Sequence, residues 1–387
     1  MIEIPYINSF FNWIENKSQK KYYIYFLTLF MCFLTCSYEL PSNTFETWDT
    51  IVLKSHDLTN SLSELNPQGH PAKLVFRLTV PLIMKVFNLS PIGIQIVQYV
   101  LGYLLIIFAY KISLKILNDS VSATFIALGI MFTHFGNANF YDGFYAFLDG
   151  WSYFFIIMAM YSQNVIGIFF FATCAAWNDE RAFIALAVVL LFHQINTRIM
   201  SKYSFKELIS LNSKSIAVLA AITSYLCLRL FLQFRFGMHT PLSGADVGLA
   251  MLRENKNYLS LGIWTFLEGF WLLFPLFILI AAMNKNYLLL TLILAQSIIV
   301  TLMAGCVWDL TRSGAYLMPV IFILVCYLRN HITIDAMRFV LLIIMMVCFM
   351  FPPYYNILGG FGFLGFPAPI NIISAAVDML GFTWGWH

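Results

Sequence analysis

"CAAWNDERAFIAL", Cys174 to Leu186, sets Asn178, Asp179, Glu180 and Arg181 between two apolar runs, "NVIGIFFFAT" (164–173) and "AFIALAVVLL" (182–191). A charged side chain at the centre of a bilayer costs about 2.5–3.5 kcal/mol on insertion scales, so such residues face a protein interior or a wet cavity. The flanking segments 164–177 and 182–195 hold 14 residues each. As helices they reach about 21 Å at 1.5 Å per residue, short of a hydrocarbon core of about 30 Å. The stretch therefore predicts a helical hairpin whose charged tip stops within the membrane.

The rest of the chain agrees with that setting. Of 387 residues 60% are apolar and 11% charged, with a mean hydropathy of +0.78. A soluble domain carries about 25% charged residues. The composition specifies a polytopic membrane protein. Its basic residues are spread along the chain, which argues against nucleic acid as a partner. Seven cysteines fall in or beside apolar segments, and only Cys32 and Cys36 lie one helical turn apart; they read as packing residues. The first apolar run follows Lys17, Lys20 and Lys21 without a small-residue cleavage site, and reads as a helix that stays attached.

Apolar runs of spanning length predict helices near 22–38, 92–110, 120–138, 144–161, 164–177, 182–195, 215–234, 263–283, 287–304, 313–328 and 338–351. The expected fold is all-α: one integral-membrane domain, residues 1–387, with about eleven spans. Lys73, Arg77 and Lys85 interrupt 71–89, which reads as an amphipathic helix at the interface within a long first loop, 39–91. Residues 352–387 read as a C-terminal tail on the same side, with a re-entrant course left open. With the N-terminus inside, 12 Lys and Arg fall in short inner segments, against 9 in far longer outer ones. By the same topology 14 of the 19 Asp and Glu lie outside or in spans near that side. The expectation is an inner or plasma membrane, with the polar face outward.

Three more polar stretches share that outer side with the hairpin tip. The loop 39–70 carries Glu39, Glu46, Asp49 and His70, residues 70–83 add Arg77, and "VWDLTRSGAYLMP" (307–319) places Asp309 and Arg312 three residues apart on one helix face. Each has a plainer reading: a solvated loop, an arginine snorkelling to headgroups, a structural ion pair, a polar turn. Asp142 and Asp149 in "FYDGFYAFLDGWSYF" (140–154) also border the expected cavity, Asp149 a turn or more inside its span.

On these residues the chain resembles the GT-C superfamily of integral-membrane glycosyltransferases. The resemblance is architectural and rests on short motifs: "YELPSNTFETWD" after helix one, "HPAKLVFRLTVPLI" with its R-x-x-x-P, and "DLTRSGAYLMP" before a late apolar helix. Many members carry an adjacent Asp-Glu pair in the loop, where this chain has Glu46 and Asp49 three apart. The resemblance implies transfer of a sugar from a polyprenyl-phosphate donor to a lipid, glycan or protein acceptor, by one inverting displacement. Asp49, then Glu46, would be the base. Glu39, His70, Arg77, Asn178, Asp179, Glu180, Arg181, Asp309 and Arg312 would bind substrate, with Arg77 and Arg312 on the phosphate. Arginine suits that role because its planar fork stays charged and bonds phosphate bidentately. Some members use a divalent metal, for which Glu46, Asp49, Asp179 and Glu180 offer hard oxygens. A transporter, a polysaccharide polymerase, a lipid-linked acyltransferase and a non-catalytic scaffold are the rival readings. The chain shows no second copy of the "NDER" hairpin of the kind transporter repeats carry.

Overall fold

In chain order the computed structural model contains α1 (Pro5–Ser18), α2 (Tyr23–Thr35), α3 (Thr47–His56), α4 (Thr79–Phe87), α5 (Pro91–Leu117), α6 (Ser120–Phe132), α7 (His134–Tyr141), α8 (Asp149–Tyr161) and α9 (Val165–Asn178). There follow α10 (Ala182–Ile195), α11 (Ser213–Phe236), α12 (Leu249–Glu254), α13 (Leu259–Leu267), α14 (Leu273–Met283), α15 (Tyr287–Gly305), α16 (Leu310–Gly314), α17 (Val320–Arg329) and α18 (Ile334–Met350). The structure describes residues 5–37, 41–42, 45–62, 73–195, 210–240, 247–351, 354–357, 360–363, 367, 369–370 and 372–373.

Local sequence sets the boundaries around the central helix α5. Ser90 caps it by accepting from the Gly93 N–H, and Pro91 takes the first helical position, where a missing N–H is harmless. Asn118 ends it in the left-handed region at φ 53°, and Asp119 caps α6 through the Ser122 N–H at 2.9 Å. α5 packs along α6 and α8, α6 against α18, and α9 between α8 and α11.

Five segments are long and apolar enough to cross a membrane: Pro91–Leu117, Ser213–Phe236, Leu259–Met283, Tyr287–Gly305 and Leu310–Arg329. A sixth forms if Ser120–Phe132 and His134–Tyr145 count as one span bent by 53°. The chain is thus a helical membrane protein. All eleven apolar stretches fall in helices, but about half have the length of a span, because several break or stop early. At the Thr133 break the hydroxyl bonds back to Ile130 O at 2.7 Å. A Cβ on Gly136 would meet that same oxygen at 2.3 Å, so the bend requires glycine. α2, α9 and α10 hold 13, 14 and 14 residues.

Two further expectations are qualified. The fold is all-helical as expected, except that β1 (Tyr354–Ile357) pairs antiparallel with β2 (Gly360–Phe363) in one short hairpin inside the stretch read as a tail. The stretch 71–89 is not one helix, since α4 begins only at Thr79, with Pro81 in its first turn. Arg77 lies before α4, where Leu78 N donates to Trp177 O at 2.7 Å and the Thr79 hydroxyl to Cys174 O at 2.9 Å. Those two bonds seat the Arg77 segment on the end of α9, beside "NDER".

A candidate site at the tip of a helical hairpin

The tip is a capped turn. Asp179 leaves helical conformation at φ −152°, ψ 127°, and its Oδ1 accepts from both the backbone N–H and the Nε–H of Arg181 at 2.9 Å. The Asp179 carbonyl then accepts from Ala182 N at 3.0 Å, opening α10. Asn178 locks the hairpin laterally: its amide donates to Leu148 O at 2.7 Å and to the Ser152 hydroxyl at 2.9 Å, both at the start of α8.

Asp149, the first residue of α8, is the hub of the charges. It is fully buried at a helix N-terminus, where the macrodipole favours an anion. It accepts from Arg181 Nη2 at 2.6 Å and from Arg312 Nε, and Arg77 Nη1 stands 3.9 Å away. Arg181 also bonds the Ser313 hydroxyl at 2.8 Å. Arg312 bonds Asp309 at 2.8 Å and lays its guanidinium 3.8 Å from the centre of the Phe147 ring. Its own carbonyl accepts from the Tyr153 hydroxyl at 2.7 Å. Two arginines and two aspartates, Asp149 and Asp179, thereby form a buried and mutually neutralised pedestal that joins α8, α16 and the hairpin.

Arg77 is held differently. Its Nε approaches Glu180 at 3.4 Å, and its terminal nitrogens approach Asp179 at 3.5 Å and Asp149 at 3.9 Å, with 16% of its side chain exposed. Burial pulls its pKa down, while Asp179 and Glu180 pull harder the other way and leave it raised. α3, α4 and the Ala146–Leu148 turn line a narrow cleft of about 20 Å³ against it. The walls are mainly apolar, with Ile51, Leu74, Val80 and Leu148, and both charged groups in the lining, Arg77 and Lys54, are cations. Lys54 is buried and donates to Asn60 O. Burial pushes its ammonium down to about 8, against the opposing pull of Asp57.

The structure therefore gathers Arg77, Asn178, Asp179, Glu180, Arg181, Asp309 and Arg312 around one point. Within the group Arg181 and Arg312 turn inward to carboxylates, whereas Arg77 faces the cleft. Asp179 rather than Glu180 is the partner of Arg181, because a short side chain at the turn reaches its own backbone two residues on. Glu46 and Asp49 stand exposed at the start of α3 and take no part in the ion pairs described above. Glu39 and His70 lie outside the described residues. Among the described residues no three His, Cys, Asp or Glu side chains converge to hold a metal ion.

Two members had no role assigned from sequence. Asp149 was visible as an acid inside an apolar run but had no stated partner. Lys54 follows from helical spacing, since Trp48, Ile51, Lys54 and Ser55 form the buried face of α3. These features define a helical membrane protein with a buried arginine–carboxylate pedestal beneath a cationic, apolar-walled cleft. No family model, curated protein or solved structure matches the chain.

Proposed function

We propose that the chain is a membrane glycosyltransferase taking its sugar from a polyprenyl-phosphate donor, with lipid, glycan or protein as acceptor. The observation that carries this reading is the cleft, in which two cations, Lys54 and Arg77, share a mainly apolar lining that a lipid donor would have to part. A lipid phosphate needs both features at once, an apolar channel for isoprene and cations for the headgroup. In the topology that goes with this reading the N-terminus is cytoplasmic, the short helices complete about eleven crossings, and the cleft opens to the outer face of an inner or plasma membrane.

A carboxylate takes the acceptor hydroxyl's proton as its oxygen attacks the anomeric carbon. The bond from that carbon to phosphate oxygen breaks, and the polyprenyl phosphate leaves with its charge on Arg77 and Lys54. The resemblance favours Asp49 or Glu46 as base. Geometry favours Glu180, whose side chain is 31% exposed beside Arg77, and we take Glu180. Transfer of labelled sugar in membranes tests this directly. Glu180→Gln is expected to stop transfer and Asp49→Asn to spare it; the reverse result returns the base to the loop. A transporter reading draws on one feature, the bent span formed by Ser120–Phe132 and His134–Tyr145. It predicts donor-independent uptake of solute into proteoliposomes and no covalent product.

A further inference from the structure

Far from the cleft's charges, Glu268 stands in the middle of the segment Leu259–Met283, where α13 gives way to the 3-10 turn Glu268–Leu272. It is 2% exposed, and its Oε2 has no hydrogen-bond partner. Its backbone sits at φ 48°, ψ −121°, in the left-handed region that glycine occupies without strain and a glutamate does not. Two unfavourable features thus meet in one residue, a buried carboxyl with an oxygen left unbonded and a strained backbone.

Among the described residues the helices around Glu268 offer it no counter-charge. α13 and α14, on either side of the turn, carry no titratable side chain. α6, reached where Phe270 meets Gly129, carries no charged one. α18 brings Cys348 against the turn, while its Asp335 and Arg338 lie in its opening turns, with Arg338 paired to Asp119 and Glu15. An ionised carboxylate in such a place is strongly disfavoured, and the group neutralises instead by keeping its proton.

The turn also connects to the pedestal. Thr265, three residues before Glu268, shares a hydroxyl hydrogen bond of 2.8 Å with Thr311. Phe266 packs so closely on α16 that a Cβ on Gly314 would lie 1.9 Å from its ring. Thr311 and Gly314 flank Arg312. On its other side the turn is pressed to α18, where a Cβ on Gly269 would meet Ile344 O at 2.5 Å. A charge at Glu268 has nowhere to go without parting the turn from α18.

We propose that Glu268 is a proton-binding site inside the membrane-spanning part of the protein. It holds its proton at neutral pH, and losing it lifts the turn from α18 and, through Thr265 and Phe266, moves Arg312. The proposal does not rest on the glycosyl-transfer reading. The probe is dicyclohexylcarbodiimide, applied to the full chain in native membranes and followed by peptide mass spectrometry. The acid's proton passes to a carbodiimide nitrogen while its oxygen bonds the central carbon, giving an O-acylisourea that rearranges to a stable N-acylurea. Glu268 is expected to be modified at neutral pH by this apolar reagent and not by a water-soluble carbodiimide, and the label is lost in Glu268→Gln. Alkylation of Cys348 by N-ethylmaleimide reports the motion: equal in wild type and Glu268→Gln at neutral pH, faster in wild type at alkaline pH. No acylurea on Glu268, or equal modification by the water-soluble reagent, overturns the proton site. Equal Cys348 alkylation at every pH overturns the coupled motion.

Discussion

Arg181 Nη2 lies 2.6 Å from Asp149 Oδ1, joining the tip of one helical hairpin to the first residue of the helix beside it. Arg312 reaches the other oxygen of the same carboxylate. Asp149→Ala leaves two buried guanidinium groups short of a partner. Breaking a buried pair from one side costs about 3–5 kcal/mol. The variant is expected to show sharply reduced yield and an earlier thermal transition in detergent, read by fluorescence-detected gel filtration. A wild-type transition in Asp149→Ala would mean that the pedestal adds nothing to stability.

Arg77 should respond in the opposite way. Its contacts are ion pairs of 3.4–3.9 Å at a partly exposed position, so Arg77→Ala should leave the thermal transition nearly unchanged. Donor use is where the loss should appear. Truncating one partner of a desolvated charge contact costs about 2–5 kcal/mol, so transfer at subsaturating donor should fall by a factor of about 30 or more. Arg77→Lys should recover part, because an ammonium lacks the planar fork. Full activity in Arg77→Ala would remove the phosphate assignment.

Much of this was legible in the sequence, and the reasons for the rest are local. The hairpin 165–195 was readable because two apolar runs of 14 residues, each short of the hydrocarbon thickness, flank a charged turn. The convergence of Arg77, "NDER" and Asp309–Arg312 was readable because each pairs charge with an apolar flank. Breaks inside spans were not legible, because hydropathy averages over the Thr133 bend and the Glu268 turn, which backbone bonding creates without polar clusters. The direction of each arginine was hidden, since spacing fixes a residue's face but not which carboxylate its guanidinium meets. Asp149 stood in plain view; its partners came from segments 32 and 163 residues away. Glu268 was an equally plain signal, a single acid in an apolar run, and had no role read from it.

Lys54 gives the cleft a pH signature. Its folded pKa of about 8 lies below the ordinary lysine value of 10.5 because burial disfavours the ammonium. Between those values the unfolded chain binds more protons than the folded one, so stability rises with pH across that window. Below it the penalty is fully present. The slope should appear as a difference between wild type and Lys54→Met in chemical denaturation from pH 8 to 10. For function the sign reverses, because only the ammonium attracts phosphate: donor affinity should decline above about pH 8. Lys54→Arg should carry activity to higher pH. Identical alkaline limits in the two proteins would take Lys54 out of the donor site.

Topology is open to a direct check. If the N-terminus is cytoplasmic, Ser63→Cys should react with an impermeant maleimide added to intact cells, and Ser213→Cys only after the membrane is opened. The native cysteines set the background, and replacing exposed Cys227 by Ser lowers it. Labelling of Ser213→Cys from outside would invert the arrangement and turn the cleft towards the cytoplasm.

The two neighbouring acids of the tip make the sharpest comparison. Asp179 is buried and bonds both the backbone and the guanidinium of Arg181, while Glu180 is partly exposed and meets Arg77 at 3.4 Å. Asp179→Asn keeps one acceptor for the backbone turn but removes the charge opposite Arg181, leaving Asp149, shared with Arg312, as its remaining close carboxylate. Its expected effect is on folding: lower yield and an earlier thermal transition, with near-normal transfer per folded molecule. Glu180→Gln is close in shape, loses one partly solvated charge and should fold normally. Its expected effect is on transfer alone, since a neutral amide cannot accept the acceptor's proton. Normalising labelled-sugar transfer to folded protein from gel filtration separates the two outcomes. Should Glu180→Gln retain full transfer while Asp179→Asn loses it without loss of fold, the chemistry belongs to the buried carboxylate, and the cleft must open further than its resting walls allow.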